Sequence, residues 1–197
     1  MKNERGGKPA LLLHSCCGPC STSVVESLAP QYDITVYFYN PNITDRAEYD
    51  KRLENQQRFI DAYNNSRADQ PGKIALVLGE YEPLRFYGEA RGLENEREGG
   101  ERCRACIRMR LEKTAQAASL GGFGGFATTL SVSPHKSYPM ISQAGQELSV
   151  QYGVDFADWD HKKNGGYQRS LELSREYSLY RQNYCGCEYS RGEKGEK

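Results

Sequence analysis

The sequence has no uninterrupted apolar stretch near the roughly 20 residues that a membrane-spanning helix needs. Its first apolar run, residues 10–13, is too short for the hydrophobic region of a secretory signal. Neither sign of charge is in excess, because 26 basic residues are balanced by 26 acidic ones. These absences exclude a globally basic nucleic-acid coat, and they predict a soluble, cytoplasmic protein with no membrane contact.

The composition supports a folded enzyme-sized unit. Charged residues make up 26% of the 197 residues and hydrophobic residues 38%, which is compatible with a buried core. A chain of this length corresponds to one ordinary domain. We expect a flexible tail at residues 1–9, a single catalytic α/β domain at 10–190 and a disordered charged tail at 191–197.

Strand and helix signals alternate along the chain. Short apolar runs predict strands at 10–14, 33–40, 73–79 and 126–130, with an extended segment at 154–159. Helical spacing and capping predict helices at 21–29, 46–63, 83–87, 104–119, 139–152 and 167–182. This alternation predicts a layered α/β fold with a mainly parallel sheet and flanking helices. Ligands of such sheets bind at the carboxyl ends of the strands, where the first cysteines and the loop at 131–138 fall.

Seven cysteines form three tight groups, and no cysteine stands alone. The groups are Cys16, Cys17 and Cys20; Cys103 and Cys106; and Cys185 and Cys187. Clustered thiols in a cytoplasmic chain indicate metal or redox chemistry, because structural disulfides are rare there. The odd number also argues against a secreted disulfide scaffold.

Spacing alone leaves several chemistries open for these groups. Cys103 and Cys106 can combine with Cys16 and Cys17 around zinc or an iron–sulfur cluster, and adjacent cysteines favour the cluster. The run from Cys17 to Cys20 also has the form of a thioredoxin-type redox motif. The last pair, one residue apart, is either a strained, easily reduced disulfide or two further metal ligands. The candidate acids or ligands among the histidines are His14, His135 and His161.

Several segments together resemble one family. They are 14–20 (HSCCGPC), 37–42 (YFYNPN), 103–106 (CRAC), 128–136 (TTLSVSPHK) and 180–187 (YRQNYCGC), with Glu48, Tyr49 and Arg52. They resemble the cobalamin-independent epoxyqueuosine reductase family, the QueH type, from about residue 10 to residue 190. The pattern shows no departure from that family.

The resemblance implies an oxidoreductase of queuosine biosynthesis, which reduces the epoxide of epoxyqueuosine at the tRNA wobble position to an alkene and releases water. It implies a four-iron four-sulfur cluster on Cys16, Cys17, Cys103 and Cys106. It also implies a redox-active disulfide between the catalytic residues Cys185 and Cys187. A second, mononuclear metal, iron or zinc, would take Cys20 as a ligand. The implied partners are the tRNAs for aspartate, asparagine, histidine and tyrosine and an external electron donor.

The fold layout resembles the adenine-nucleotide hydrolase-like (PP-loop or HUP) proteins, with a helical C-terminal segment added. Cysteines stand where those proteins carry a phosphate-cradling glycine loop, so we do not expect ATP use. Two alternative functions remain, a cluster-dependent tRNA thiolase that needs ATP and a zinc-stabilised RNA-binding module without catalysis. The cations expected to contact tRNA phosphates are Arg104, Arg108, Arg110, Lys136 and Arg181.

Overall fold

A five-stranded sheet with every strand parallel forms the centre of the computed structural model, which describes residues 7–192. The strands are β1 (Ala10–Ser15), β2 (Asp33–Phe38), β3 (Ala75–Leu78), β4 (Gly125–Thr128) and β5 (Asp155–Phe156). They are arranged in the order β3-β2-β1-β4-β5. This confirms the predicted α/β fold with a parallel sheet.

Seven α-helices connect and cover the described strands. They are α1 (Gly18–Leu28), α2 (Arg46–Ser66), α3 (Pro83–Ala90), α4 (Glu101–Leu120), α5 (Tyr138–Tyr152), α6 (Gly166–Glu176) and α7 (Tyr189–Gly192). Short 3₁₀ turns at Thr129–Val132 and Lys163–Gly165 complete the set. Residues 1–6 and 193–197, which include most of the two predicted tails, lie outside the described residues, whereas 191 and 192 belong to α7.

The sheet has an apolar layer on each face, because alternate side chains of a strand point to opposite sides. Leu11 and Leu13 of β1 pack with α1 and α2 in one core cluster. Leu12 packs in the other cluster with residues of α4 and α5. Because β1 is buried on both faces, its sequence is a continuous apolar run rather than an alternation of apolar and polar residues.

The strand order changes direction at β1, and this positions the site. From β1 the chain passes first to β2 and β3 on one side and later to β4 and β5 on the other. Connections that leave neighbouring strands in opposite directions open a crevice at the carboxyl ends of those strands. The crevice between β1 and β4 is therefore where the segments after Ser15 and Thr128 meet.

The last long helix is shorter than predicted. We expected a helix over 167–182, but α6 ends at Glu176 and the chain is irregular until α7. The backbone N–H of Leu179 donates to Ser174 O and that of Ser178 donates to Arg175 O, and Ser178 is left-handed with φ of 51°. These are the two bonds of a Schellman C-cap. The sequence did not predict this end of α6, because serine occupies the position where glycine normally signals the end of a helix.

No helix within residues 7–192 is both long and apolar enough to cross a membrane.

The left-handed serine gives a stability prediction. Ser178→Gly removes the steric cost of that conformation, so we expect the free energy of unfolding to rise by about 1 kcal/mol. The same change at Ser149, which lies within the right-handed helix α5, is expected to lower it by about 0.5–1 kcal/mol. Chemical denaturation of the two variants would measure both values. Equal losses in the two variants would contradict the assigned C-cap.

Candidate metal and thiol site

The first group of cysteines lies in the turn between β1 and α1. Cys16 follows the strand directly, and Cys17 is the N-cap residue of the helix. The sulfur atoms of Cys16, Cys17 and Cys20 lie within 4.8 Å of one another, and the first two are 3.8 Å apart. Among the described residues this trio is the one group of potential ligands that close together. A tetrahedral ion with metal–sulfur bonds of about 2.3 Å separates its ligands by about 3.8 Å, so the trio is spaced for one ion.

Buried hydrogen bonds hold this turn against α2. The hydroxyl groups of Ser15 and Ser21 both reach Gln56 Oε1, over 2.6 Å and 2.7 Å. Gly18 is required at the start of α1, because a Cβ there would lie 2.6 Å from the backbone oxygen of Asn55. The close approach of the two helices therefore fixes the position of the cysteine trio.

Among the three cysteines of the trio, Cys17 is the one whose surroundings favour the thiolate. Hydrogen bonds with Cys16 and Cys20 and the charge of Arg52 hold the pKa of Cys17 well below its usual range, although burial opposes this. The side-chain amide of Gln182 also donates to Cys17 Sγ over 3.1 Å. The same hydrogen bonds raise the pKa of Cys20. Cys17 is thus prepared as a thiolate, the form that binds metals.

The second pair lies near the start of α4. Cys103 and Cys106 are about one helical turn apart, and burial raises the pKa of Cys106 to about 11. Arg110, a further turn along the same face, is 1% exposed. Its charge acts on both of these thiols and on Cys16 and Cys185. One buried guanidinium therefore connects members of all three cysteine groups electrostatically.

The third pair lies in a tight turn that Arg52 holds from α2. The Arg52 guanidinium donates to the carbonyl oxygens of Cys185, over 3.0 Å, and Tyr184, over 3.2 Å, and it forms an ion pair with Glu48 at 2.7 Å. Gly186 has φ of +110°, and a Cβ on it would lie 3.1 Å from Arg52 Nη1. Glycine between the two cysteines is therefore a requirement of the turn. An irregular segment, and not the predicted helix, delivers this pair.

The two sulfur atoms of this turn have different surroundings, and both are free thiols in this structure. Lys136 Nζ donates to Cys185 Sγ over 2.8 Å. Burial would raise the pKa of Cys185, but the charges of Lys136 and Arg110 outweigh burial and lower it. Cys187 is 6% exposed, and burial raises its pKa. The surroundings therefore favour the thiolate at Cys185 and the neutral thiol at Cys187.

Two members of the trio, Cys16 and Cys20, and Cys185 of the third group open onto one cavity of about 190 Å³. It lies at the carboxyl edge of the sheet, as the strand order predicts, and the loop after β4 forms part of its wall. The lining residues that bear on the chemistry are Cys16, Cys20, Arg110, Lys136, Gln182 and Cys185. Thiols of the first and third cysteine groups can therefore act on the same bound group.

The three histidines are distributed between the interior and the cavity. His14 is fully buried, with Nδ1 3.0 Å from Thr128 Oγ1 and Nε2 3.1 Å from the Tyr39 carbonyl, and burial lowers its pKa to about 4. His161 stacks on Trp159, and burial lowers its pKa to about 4 as well. His135 is exposed and lines the cavity. Only the last of these candidates faces the site.

The cations predicted to contact phosphates fall into two classes. Arg104 and Arg108 are exposed on α4, and Arg181 lines the cavity. Arg110 and Lys136 are buried beside the cysteines and line the cavity, so the structure places them away from the exposed face of α4, and their contact with tRNA phosphates stays a prediction. Their positive charges neutralise the negative charge of nearby thiolates, because a buried cation is stable only next to an anion.

Sequence reasoning gave no role to two residues that organise the site. Arg52 holds the Cys185 turn, and Gln182 donates to Cys17. A signal for Arg52 was present, because it lies three residues after Tyr49 on the apolar face of α2. A charged residue on such a face indicates a buried partner. Gln182 carried no comparable signal.

Comparison with known proteins identifies the family. The sequence profile of the epoxyqueuosine reductase QueH family matches residues 11–193. An epoxyqueuosine reductase QueH of Streptococcus pyogenes serotype M1 is 43% identical over 183 residues, 93% of this chain and 71% of that protein. That of Staphylococcus epidermidis is 41% identical over 98% of this chain and 81% of its own length, and that of Thermotoga maritima 36% identical over 95% and 93%. This chain belongs to the epoxyqueuosine reductase QueH family.

Proposed function

We propose that this chain is an oxidoreductase that reduces the epoxide of epoxyqueuosine in tRNA to the alkene of queuosine and releases water. The observation that carries the proposal is the shared cavity, onto which Cys16 and Cys20 of the trio and Cys185 open. The relatives named for this activity supply the substrate. Removing an epoxide oxygen as water takes two electrons and two protons, and a dithiol that closes to a disulfide releases two electrons.

The substrate requires a base to enter the cavity. A wobble nucleotide is stacked in the anticodon loop, so its modified ring has to leave the stack to reach buried thiols. We propose that Arg104, Arg108 and Arg181 contact the phosphates of that loop. The acceptors are the tRNAs for aspartate, asparagine, histidine and tyrosine. An external electron donor restores the dithiol after each turnover.

We propose that Cys16, Cys17, Cys103 and Cys106 hold a four-iron four-sulfur cluster, which would supply one-electron transfer when bound. The donor set fits, because four cysteine thiolates complete the ligands of such a cluster. Arg110 supports the assignment, since its buried Nη2 has no hydrogen-bond partner among the described residues and its charge acts on three of these thiols. An anionic cluster is a suitable partner for that group.

Cys20 is proposed as a ligand of a second, mononuclear metal, iron or zinc. The spacing of the trio supports this, because Cys20 Sγ lies within 4.8 Å of the sulfur atoms of Cys16 and Cys17, so an ion on Cys20 would lie beside the cluster that those two residues would hold. The protein's own side chains prepare this region. Gln182 and Arg52 stabilise charge on Cys17, and Lys136 stabilises charge on Cys185.

The two alternative functions are not favoured. An ATP-dependent thiolase needs a phosphate-cradling loop after β1, and the cysteine turn occupies that place. A zinc-stabilised RNA-binding module needs no further thiol, such as that of Cys185, at the wall of the same cavity.

The central test is conversion of the epoxide. We expect metal-loaded protein with a strong reductant to convert epoxyqueuosine to queuosine in tRNA, measured by mass spectrometry of the released nucleosides. Cys185→Ser and Cys187→Ser should keep their iron and their absorbance near 400 nm but lose turnover, because neither can form the disulfide. No conversion by intact wild-type protein would reject the proposed function, and loss of iron from both variants would make the pair metal ligands.

The metal assignment gives a separate prediction. Cys103→Ala should abolish bound iron and inorganic sulfide, because the cluster loses one of its four ligands. Cys20→Ala should retain sulfide and lose only the additional metal. Both are measured by metal and sulfide analysis after anaerobic purification. Full iron and sulfide in the Cys103→Ala variant would refute the ligand set.

A further inference from the structure

Lys136 is a buried cation whose ammonium group lies closer to a sulfur atom than to the carboxylate of Glu98. Its side chain is 8% exposed, and its Nζ lies 2.8 Å from Cys185 Sγ. The carboxylate of Glu98 is farther away, at 3.8 Å. An ammonium group removed from water requires an anion in contact, so the geometry favours a thiolate at Cys185. Burial opposes charge on Lys136, but its pKa is raised by Cys185.

Cys187 lacks this partner. It packs in an apolar cluster with Phe86 and Met109, and burial raises its pKa although hydrogen bonds from Ser190 act in the opposite direction. Burial without a cation in contact favours the neutral thiol. In the reduced protein the pair therefore consists of one thiolate and one thiol. This inequality is imposed by the surroundings, because the two cysteines differ by only two positions in the sequence.

The proposed reaction then consumes one proton more than this pair of cysteines releases. Closing a thiolate and a thiol to a disulfide releases two electrons but only one proton. Reducing the epoxide breaks both carbon–oxygen bonds, forms a carbon–carbon double bond and consumes two electrons and two protons. The ammonium of Lys136 lines the same cavity and is the proton carrier in contact with the reacting sulfur.

We infer that Lys136 holds Cys185 as the thiolate and supplies the second proton of the reduction. In this step the sulfur–sulfur bond forms, one proton comes from Cys187 and one from Lys136, and both leave with the oxygen as water. The inference rests on the proposed function. Lys136 acts on the sulfur as a positioning residue and on the leaving oxygen as a proton donor.

The same geometry means that Lys136 releases its proton after Cys185 has given up its electrons. The charged groups that act on Lys136 include Cys185, Arg110, Cys103 and Glu98. Once Cys185 is part of a disulfide, it carries no charge, and Lys136 remains buried near the cation Arg110. Burial and a like charge both weaken the hold of an amine on its proton. Oxidation of the sulfur therefore converts Lys136 from a proton holder into a proton donor.

The thiolate part is tested by alkylation, without substrate. In reduced, metal-loaded protein carrying Cys187→Ser, the rate of iodoacetamide modification at Cys185 is followed against pH by peptide mass spectrometry. We expect a midpoint below the usual thiol value of about 8.5. Adding Lys136→Gln should raise that midpoint by about one unit or more, whereas Lys136→Arg and the exposed control Lys163→Gln should leave it in place. An unchanged midpoint in the Lys136→Gln protein would overturn the inference.

The proton part is tested by Lys136→Arg, which keeps the charge but cannot release a proton at neutral pH. We expect the alkylation midpoint and the iron content to match the parent protein, while conversion of epoxyqueuosine falls by at least about tenfold. A smaller fall would refute proton donation. The Lys163→Gln variant should convert substrate at the wild-type rate.

These measurements separate the inference from the proposed function. If wild-type protein converts no epoxyqueuosine, the proposed function and the proton donation fail together, and alkylation alone decides the ion pair. If Lys136→Gln does not fold, wild-type protein still provides a test through the order of alkylation at pH 7. Modification of Cys185 before Cys187 supports the ion pair, and the reverse order overturns it.

Discussion

Positive charge buried among sulfur atoms is the constraint to which the rest of the structure responds. Arg52, Arg110 and Lys136 are all removed from solvent, and each acts electrostatically on at least one cysteine. Carboxylates near them are few, with Glu48 on Arg52 and Glu98 near Lys136. A buried cation without an anion is strongly destabilising, so thiolates or a bound anionic cluster have to complete the balance.

The parallel sheet gives these charges a common location. The cysteine trio follows β1, the Lys136 loop follows β4, and the two strands are neighbours at the point where the strand order reverses. The helix α4 then brings Cys106 and Arg110 along one buried face. Arg52 draws the C-terminal turn onto this edge from α2. Segments that are distant in the sequence thus meet at one edge of the sheet, some of them in regular elements and one, the turn with Cys185, in irregular chain.

The sequence predicted the helices and strands well wherever a single spacing of apolar residues dominated. The strands and α2, α4 and α5 follow from apolar spacing, and their placement around a parallel sheet follows from their alternation. The end of α6 did not, because Ser178 adopts a left-handed conformation that the residue type does not announce. The cysteine groups were found from spacing, but the difference between Cys185 and Cys187 was not. That difference depends on Lys136, which lies 49 positions away and comes into contact only after folding.

The hydrogen bonds between Arg52 and the Cys185 turn also determine the order in which the site assembles during synthesis. Chains are made and begin to fold from the N-terminus. The trio, Arg52, the α4 pair and Lys136 all leave the ribosome before the last cysteines do, yet the two carbonyls that Arg52 binds belong to residues 184 and 185. Until those residues emerge, the earlier cysteines lack the turn that Arg52 later holds beside them. The thiol pair that uses the site is thus the part that closes it.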